Sequence, residues 1–201
     1  MNRRELLKMI AAVTGASLVG VDAMAYVEMP PATPLEKTGF NKDDYLLWEA
    51  ICDAIMPRTD TPGAVDAGTP AFTLSFAYDC YTEEQMGVFK SGLADIRRRS
   101  LNEFGQPLSQ LAADTRHSFL SRIDKEAIAS NANNPEGEGA WAKVTRRHMP
   151  HYFTLMKQLT LFGFFTSEVG ATQVLRYVSV PGRYDGDYPY QPGDKAWAPE
   201  Y

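Results

Sequence analysis

The chain is short of the residues that most cofactor sites require. Its 201 residues include two cysteines and three histidines. Cys52 and Cys80 form neither a CxxC nor a CxxCH, which excludes attachment of a c-type haem and a cysteine-held iron–sulfur cluster. No glutamate is followed three residues later by histidine, so the Glu-x-x-His pairs of di-iron bundles are missing. There is no G-x-G-x-x-G, no Walker A loop and no G-x-S-x-G elbow. A basic excess is also lacking: 20 Lys and Arg stand against 25 Asp and Glu, a formal net charge of -5. Such a chain gains little from phosphate neutralisation, and nucleic acid is not an expected partner. Neither apolar run, Met9 to Val21 or Leu159 to Phe165, reaches the ~20 residues that a bilayer demands, so no stable membrane span is expected. The remaining histidines are weak candidates. His148 and His151 flank Pro150 behind Arg146 and Arg147, where cations oppose a metal, and His117 follows Arg116 on an exposed helix face.

Globular composition is present, with 44% hydrophobic and 22% charged residues, enough for one domain with a real core. The chain opens Met1-Asn2-Arg3-Arg4-Glu5-Leu6-Leu7-Lys8. A modest apolar stretch follows, broken by Thr14, Gly15, Ser17 and Gly20, and then Ala23-Met24-Ala25. Charged, apolar and small-residue regions stand in signal-peptide order over residues 1–25. Arg3 and Arg4, with Leu6, Leu7 and Lys8 behind them, look like a twin-arginine (Tat) signal, because paired guanidinium forks suit receptor carboxylates better than lysine does. That route moves folded proteins into the periplasm, which is the expected location.

Residues 26–40, with Pro30, Pro31 and Pro34, predict an extended linker. Asn41 predicts a cap for a helix ending before Pro57, and Thr69-Pro70 starts a second helix. Thr82 with Gln85 forms a capping box for a third, with Met86, Phe89, Leu93 and Ile96 as its buried stripe and Gly105 as its stop. A fourth opens at Asp114, with Phe119, Leu120 and Ile123 inward. Helices are further expected over Trp141 to Arg147, Pro150 to Phe165 and Ser167 to Val178. With no alternating strand, the fold class is all-α: a small bundle of five to seven helices over residues 41–180. Residues 181–201 form an extended tail, too rich in Pro and Gly for a helix yet dense in aromatics. Tyr and Trp pair apolar area with a polar tip, which suits an interface. Tyr184, Tyr188, Tyr190 and Trp197 in the tail, with Phe162, Phe164 and Phe165, are the candidate partner surface; the alternatives are a tail that wraps its own bundle and a Leu159–Phe165 run that lies in the core. Cys52 and Cys80 could join in an oxidising compartment, contributing roughly 3–4 kcal/mol. Two buried thiols, or a bond to a partner chain, are the alternatives.

The chain resembles the gluconate 2-dehydrogenase subunit 3 family. The resemblance is carried by Arg3-Arg4, by Ala50-Ile51-Cys52-Asp53-Ala54-Ile55-Met56-Pro57 with its Thr-Asp-Thr-Pro-Gly-Ala-Val-Asp-Ala-Gly loop, by Leu159 to Gly170, and by Tyr177-Val-Ser-Val-Pro-Gly182-Arg-Tyr184. It implies the small gamma subunit of a membrane-associated sugar or polyol dehydrogenase of the glucose, gluconate or glucoside 3-dehydrogenase class. The FAD and the catalysis would then lie in a large GMC-type flavoprotein, with a cytochrome c subunit taking electrons onward. The gamma subunit stabilises that partner and carries its signal to the Tat translocase. No catalytic, cofactor-binding or metal-binding residue is implied in this chain. Two other readings compete: an independent periplasmic metal or haem oxidoreductase, and a stand-alone periplasmic binding protein.

Overall fold

The computed structural model describes residues 35–132, 149–180, 182, 186–189 and 191–198. The signal residues Arg3, Arg4, Leu6, Leu7 and Lys8, the helix expected over Trp141 to Arg147, His148, and the tail residues Tyr184 and Tyr190 lie outside that description. The described residues contain helices and no strand.

One turn of helix, α1 (Leu35–Thr38), forms where an extended linker was expected, and it packs against the second long helix. Helix α2 (Lys42–Ile55) starts at Asn41. The Asn41 side chain accepts from the Asp44 amide at 2.9 Å, while Asp44 accepts from the Asn41 amide at 3.0 Å. This reciprocal box satisfies two orphan donors, and losing a cap costs about 1 kcal/mol. Helix α3 (Thr69–Cys80) begins with Pro at its second position, and α4 (Glu83–Phe104) with the Thr82–Gln85 box. A 3-10 turn (Leu108–Gln110) leads to α5 (Ala113–Ala132). Helix α6 (Tyr152–Phe165) follows, then one π-helical turn over Gly170–Val174. The last helix therefore stops four residues before Val178. The Leu175 amide closes on the Gly170 carbonyl at 3.0 Å, and the backbone of Arg176 pairs with the tail instead of continuing the helix.

Helix α6 is the inner strut, packing against α2, α3, α4 and α5. Its residues Phe153, Met156, Thr160 and Phe164 recur every three or four positions, and with Leu159 beside Thr160 they are buried. They meet Trp48, Ile51 and Cys52 of α2, Phe89, Leu93 and Ile96 of α4, and Phe119, Leu120 and Ile123 of α5 in one core. Met86 of the expected stripe is only half-buried. Trp48 anchors the centre. Its ring meets Phe89 edge-on at 5.0 Å, and its indole N–H donates to Thr73 Oγ1 at 2.8 Å.

Ion pairs tie the helices together at the rim. Arg97, Arg98 and Arg99 sit upstream of the end of α4, because the helix runs on to Phe104. They pair with carboxylates rather than with the helix dipole: Arg97 with Asp44, Arg98 and Arg99 with Asp95, and Arg99 also with Glu126. Burial pushes the Asp95 carboxyl up, but the Tyr152 hydroxyl and the two guanidinia outweigh it, and the group stays below its ordinary range. Lys157 holds both oxygens of Asp124, at 2.8 and 2.9 Å.

His151 caps α6: its Nδ1 accepts from the Phe153 amide at 3.2 Å. Burial holds the imidazole below its ordinary value of 6.5, with Arg99 acting the same way and Glu126 and Asp95 opposing. Only the neutral ring can accept that hydrogen bond. Its stabilisation is therefore complete above the unfolded value and is lost as pH falls through the lower folded value. Urea midpoints should accordingly drop between about pH 7 and pH 5, where histidine titrates. His151→Asn, which caps without titrating, should flatten that slope, and an unchanged slope would contradict this role.

Candidate docking interface

Helices α3 and α6 approach closely because Gly163 faces α3. A Cβ there would lie 2.4 Å from Thr73 Cγ2 and 3.1 Å from Thr69 Cγ2. The close crossing gathers three phenylalanines at the surface. Phe76 and Phe162 stand 4.8 Å apart between ring centroids, and Phe72 lies 6.0 and 6.3 Å from them. Phe72 is 44% exposed and Phe162 40%. Ring pairs left this open to water in an otherwise well-packed bundle are the candidate contact surface.

Phe162, expected at a partner surface, is exposed. Phe164 is not: it is fully buried, edge-on to a half-buried Phe165 at 5.1 Å. The helical period explains this. Phe164 follows Thr160 and Met156 on the inward face, while Phe162, two residues away, points the other way. Phe72 and Phe76 were missed. Their signal was Thr69–Cys80 itself, a helix apolar on nearly all faces in a bundle too small to cover them all.

In the tail, Tyr188 and Trp197 are each 50% exposed and meet edge-on at 5.3 Å. They do not hang free, because both rings gather on Arg176. Nearby, Tyr177, Val178 and Val180 are exposed.

The loop between α2 and α3 folds back on itself. The Ala64 amide donates to the Met56 carbonyl at 2.8 Å, and Asp66 accepts from the Gly63 amide at 2.8 Å. Arg58 pairs with Asp66, and this, ahead of the Gly63 amide, holds the carboxyl below its ordinary range. Gly63 is required by close approach: a Cβ would strike the Arg58 nitrogen at 2.6 Å.

Two shallow grooves lie among the described residues. One, about 380 Å³, lies between α4 and α5 and is walled by Arg99, Glu103, Arg122 and Glu126. The other, about 350 Å³, lies beside the loop and is walled by Asp53, Arg58, Asp66 and Arg116. Most of the wall charges pair with one another: Arg99 with Glu126, Arg122 with Glu103, Arg58 with Asp66, Arg116 with Asp53; Glu49 also lines the second groove. Among the described residues no group of three or more His, Cys, Asp or Glu side chains is placed to hold a metal ion. Among the same residues, no helix is long and apolar enough to cross a membrane.

The cysteines are free and unlike each other. Cys52 is buried between α2 and α6, its sulfur 3.6 Å from Thr160 Oγ1, while Cys80 is exposed at the end of α3. An internal bridge between them is absent. Burial pushes the Cys52 thiol up to about 12, against the opposing Thr160 contact. A thiol reagent should therefore titrate one cysteine in the native protein and both in urea, and a native count of zero would contradict this arrangement.

Among the described residues, the fold defines a small helical protein whose surface carries exposed aromatic rings and two charge-walled grooves. The chain belongs to the gluconate 2-dehydrogenase subunit 3 family, whose model matches residues 42–182, from the first residue of α2 to the start of the tail. No curated protein and no solved structure shows significant similarity to it. By its description the family is a dehydrogenase subunit, and the chain is a member of that accessory kind.

Proposed function

We propose that this chain is the non-catalytic gamma subunit of a periplasmic, FAD-dependent sugar dehydrogenase. It stabilises a GMC-type flavoprotein and carries it through the Tat translocase on the signal at Arg3 and Arg4. The flavoprotein holds the FAD and oxidises a sugar or polyol hydroxyl, and a cytochrome c subunit passes the electrons on. The assembly lies at the membrane through the complex rather than through a span of this chain. The observation that carries the reading is the family match across the whole bundle. Two others support it. The exposed rings of Phe72 and Phe162, with half-buried Phe76 against both, offer the aromatic anchors on which protein interfaces concentrate their binding energy. The N-terminal segment has the order of a twin-arginine signal.

The test is co-purification. The full chain, co-expressed with the flavoprotein encoded nearest to it, should elute with that protein in a single complex that contains FAD and reduces an electron-acceptor dye when sugar is added. A chain that elutes alone, with the flavoprotein equally stable and active without it, would overturn the reading. Stoichiometric iron or zinc in the isolated chain would favour an independent oxidoreductase.

A further inference from the structure

We propose that Arg176 is the positioning residue that fixes the C-terminal aromatic tail in a preset geometry for docking, an inference that rests on the accessory-subunit reading above. Arg176 follows the last helical turn, and the tail returns to it after some twenty residues of chain. Its guanidinium carbon lies 4.8 Å from the ring centroid of Trp197 and 5.3 Å from that of Tyr188. Its amide donates to the Ala196 carbonyl at 2.8 Å, and its carbonyl accepts from the Ala198 amide at 2.9 Å. Asp194 lies 3.6 Å from the same guanidinium, and Lys195 Nζ donates to the Gln173 carbonyl at 2.8 Å. Tyr188 and Trp197, nine positions apart, thus share one cation as their common support.

The physical consequence is preorganisation. A tail of this composition, left free, would lose its conformational freedom at the moment of docking. Here the ordering is done in the isolated chain. Two half-exposed rings stand edge-on at 80° with their outer faces available to a partner. The choice of arginine is specific. A planar guanidinium can serve two rings and a carboxylate together, whereas the compact ammonium of lysine cannot stack. Arg176→Lys keeps the charge and both backbone hydrogen bonds but loses the stacking, so it separates the stacking role from the charge.

The experiment compares the full chain with Arg176→Ala and Arg176→Lys in two assays. Trypsin cleavage after Lys195 reports tail pinning without any partner, and the Kd for the flavoprotein reports docking. Arg176→Ala should be cut at Lys195 at least about tenfold faster and should bind at least about tenfold more weakly. Its bundle should melt as the wild type does, since Arg176 lies beyond the core. Arg176→Lys should fall nearer to Arg176→Ala than to the wild type in both assays. Unchanged cleavage would overturn the pinning, and faster cleavage with unchanged Kd would overturn its role in docking. Failure of the wild type itself to bind the flavoprotein would overturn the accessory-subunit reading and the docking role with it; the cleavage assay distinguishes that from a failure of the pinning.

Discussion

Phe162→Asp is expected to weaken binding of the flavoprotein subunit by about 30-fold or more, the effect of losing an interface hot spot worth at least ~2 kcal/mol. Phe162 is the α6 member of the α3–α6 patch, 4.8 Å from Phe76 and 6.3 Å from Phe72. A carboxylate at that position would have to be stripped of water to enter an apolar contact, and nothing in the patch would pair with it. The same substitution should do little harm to the isolated chain. Phe162 is 40% exposed, and its loss removes two ring contacts worth together about 1–2 kcal/mol, while the added charge improves solubility. Titration of the flavoprotein against both chains, with urea unfolding of each alone, separates the two effects. Equal Kd values would remove the patch from the interface.

Trp48→Ala should have the opposite profile, a large loss of stability from a residue that exposes no surface of its own. Trp48 is fully buried against Phe89, and its indole N–H is held by Thr73 Oγ1 at 2.8 Å. Truncation leaves a cavity in the centre of the bundle and deprives Thr73 of its donor. Buried Trp-to-Ala changes cost about 3–5 kcal/mol. Against a typical total of 5–15 kcal/mol, that is a large share of the fold's stability. Thr73 is also the residue a Cβ on Gly163 would strike, so Trp48, Thr73 and Gly163 act as one unit that sets the α3–α6 crossing. Urea unfolding of the full chain measures the loss; a change below about 1 kcal/mol would mean that the core closes around the gap, as tolerant sites do.

The helix starts were legible because capping is local chemistry. Asn41 and Thr82 with Gln85 show in the sequence what they do in the structure. The inward face of α4 was legible for a related reason: polar residues separate Phe89, Leu93 and Ile96, so the period is visible. Leu159 to Phe165 offered no such contrast. Its residues are apolar on every side, and only the packing of four helices around α6 reveals that Phe164 is enclosed and Phe162 is not. Phe72 and Phe76 were hidden in the same way on α3. The Arg176 support was illegible for a different reason. Its parts lie at positions 176, 188, 194 and 197, with no periodic element to align them. The residues that built the family resemblance, by contrast, fall mainly on the α2–α3 turn and the end of α6, where Gly63 and Asp66 close the loop and Gly163 sets the crossing.

The most direct test of the central claim is export. The chain with Arg3 and Arg4 intact, or with both replaced by lysine, is co-expressed with the proposed flavoprotein partner, and dye-linked sugar dehydrogenase activity is measured in the periplasm. Export of the flavoprotein as a passenger on this chain predicts that activity leaves the periplasm with the lysine pair and is retained inside the cell. Full periplasmic activity with the lysine pair, or without this chain at all, would contradict it.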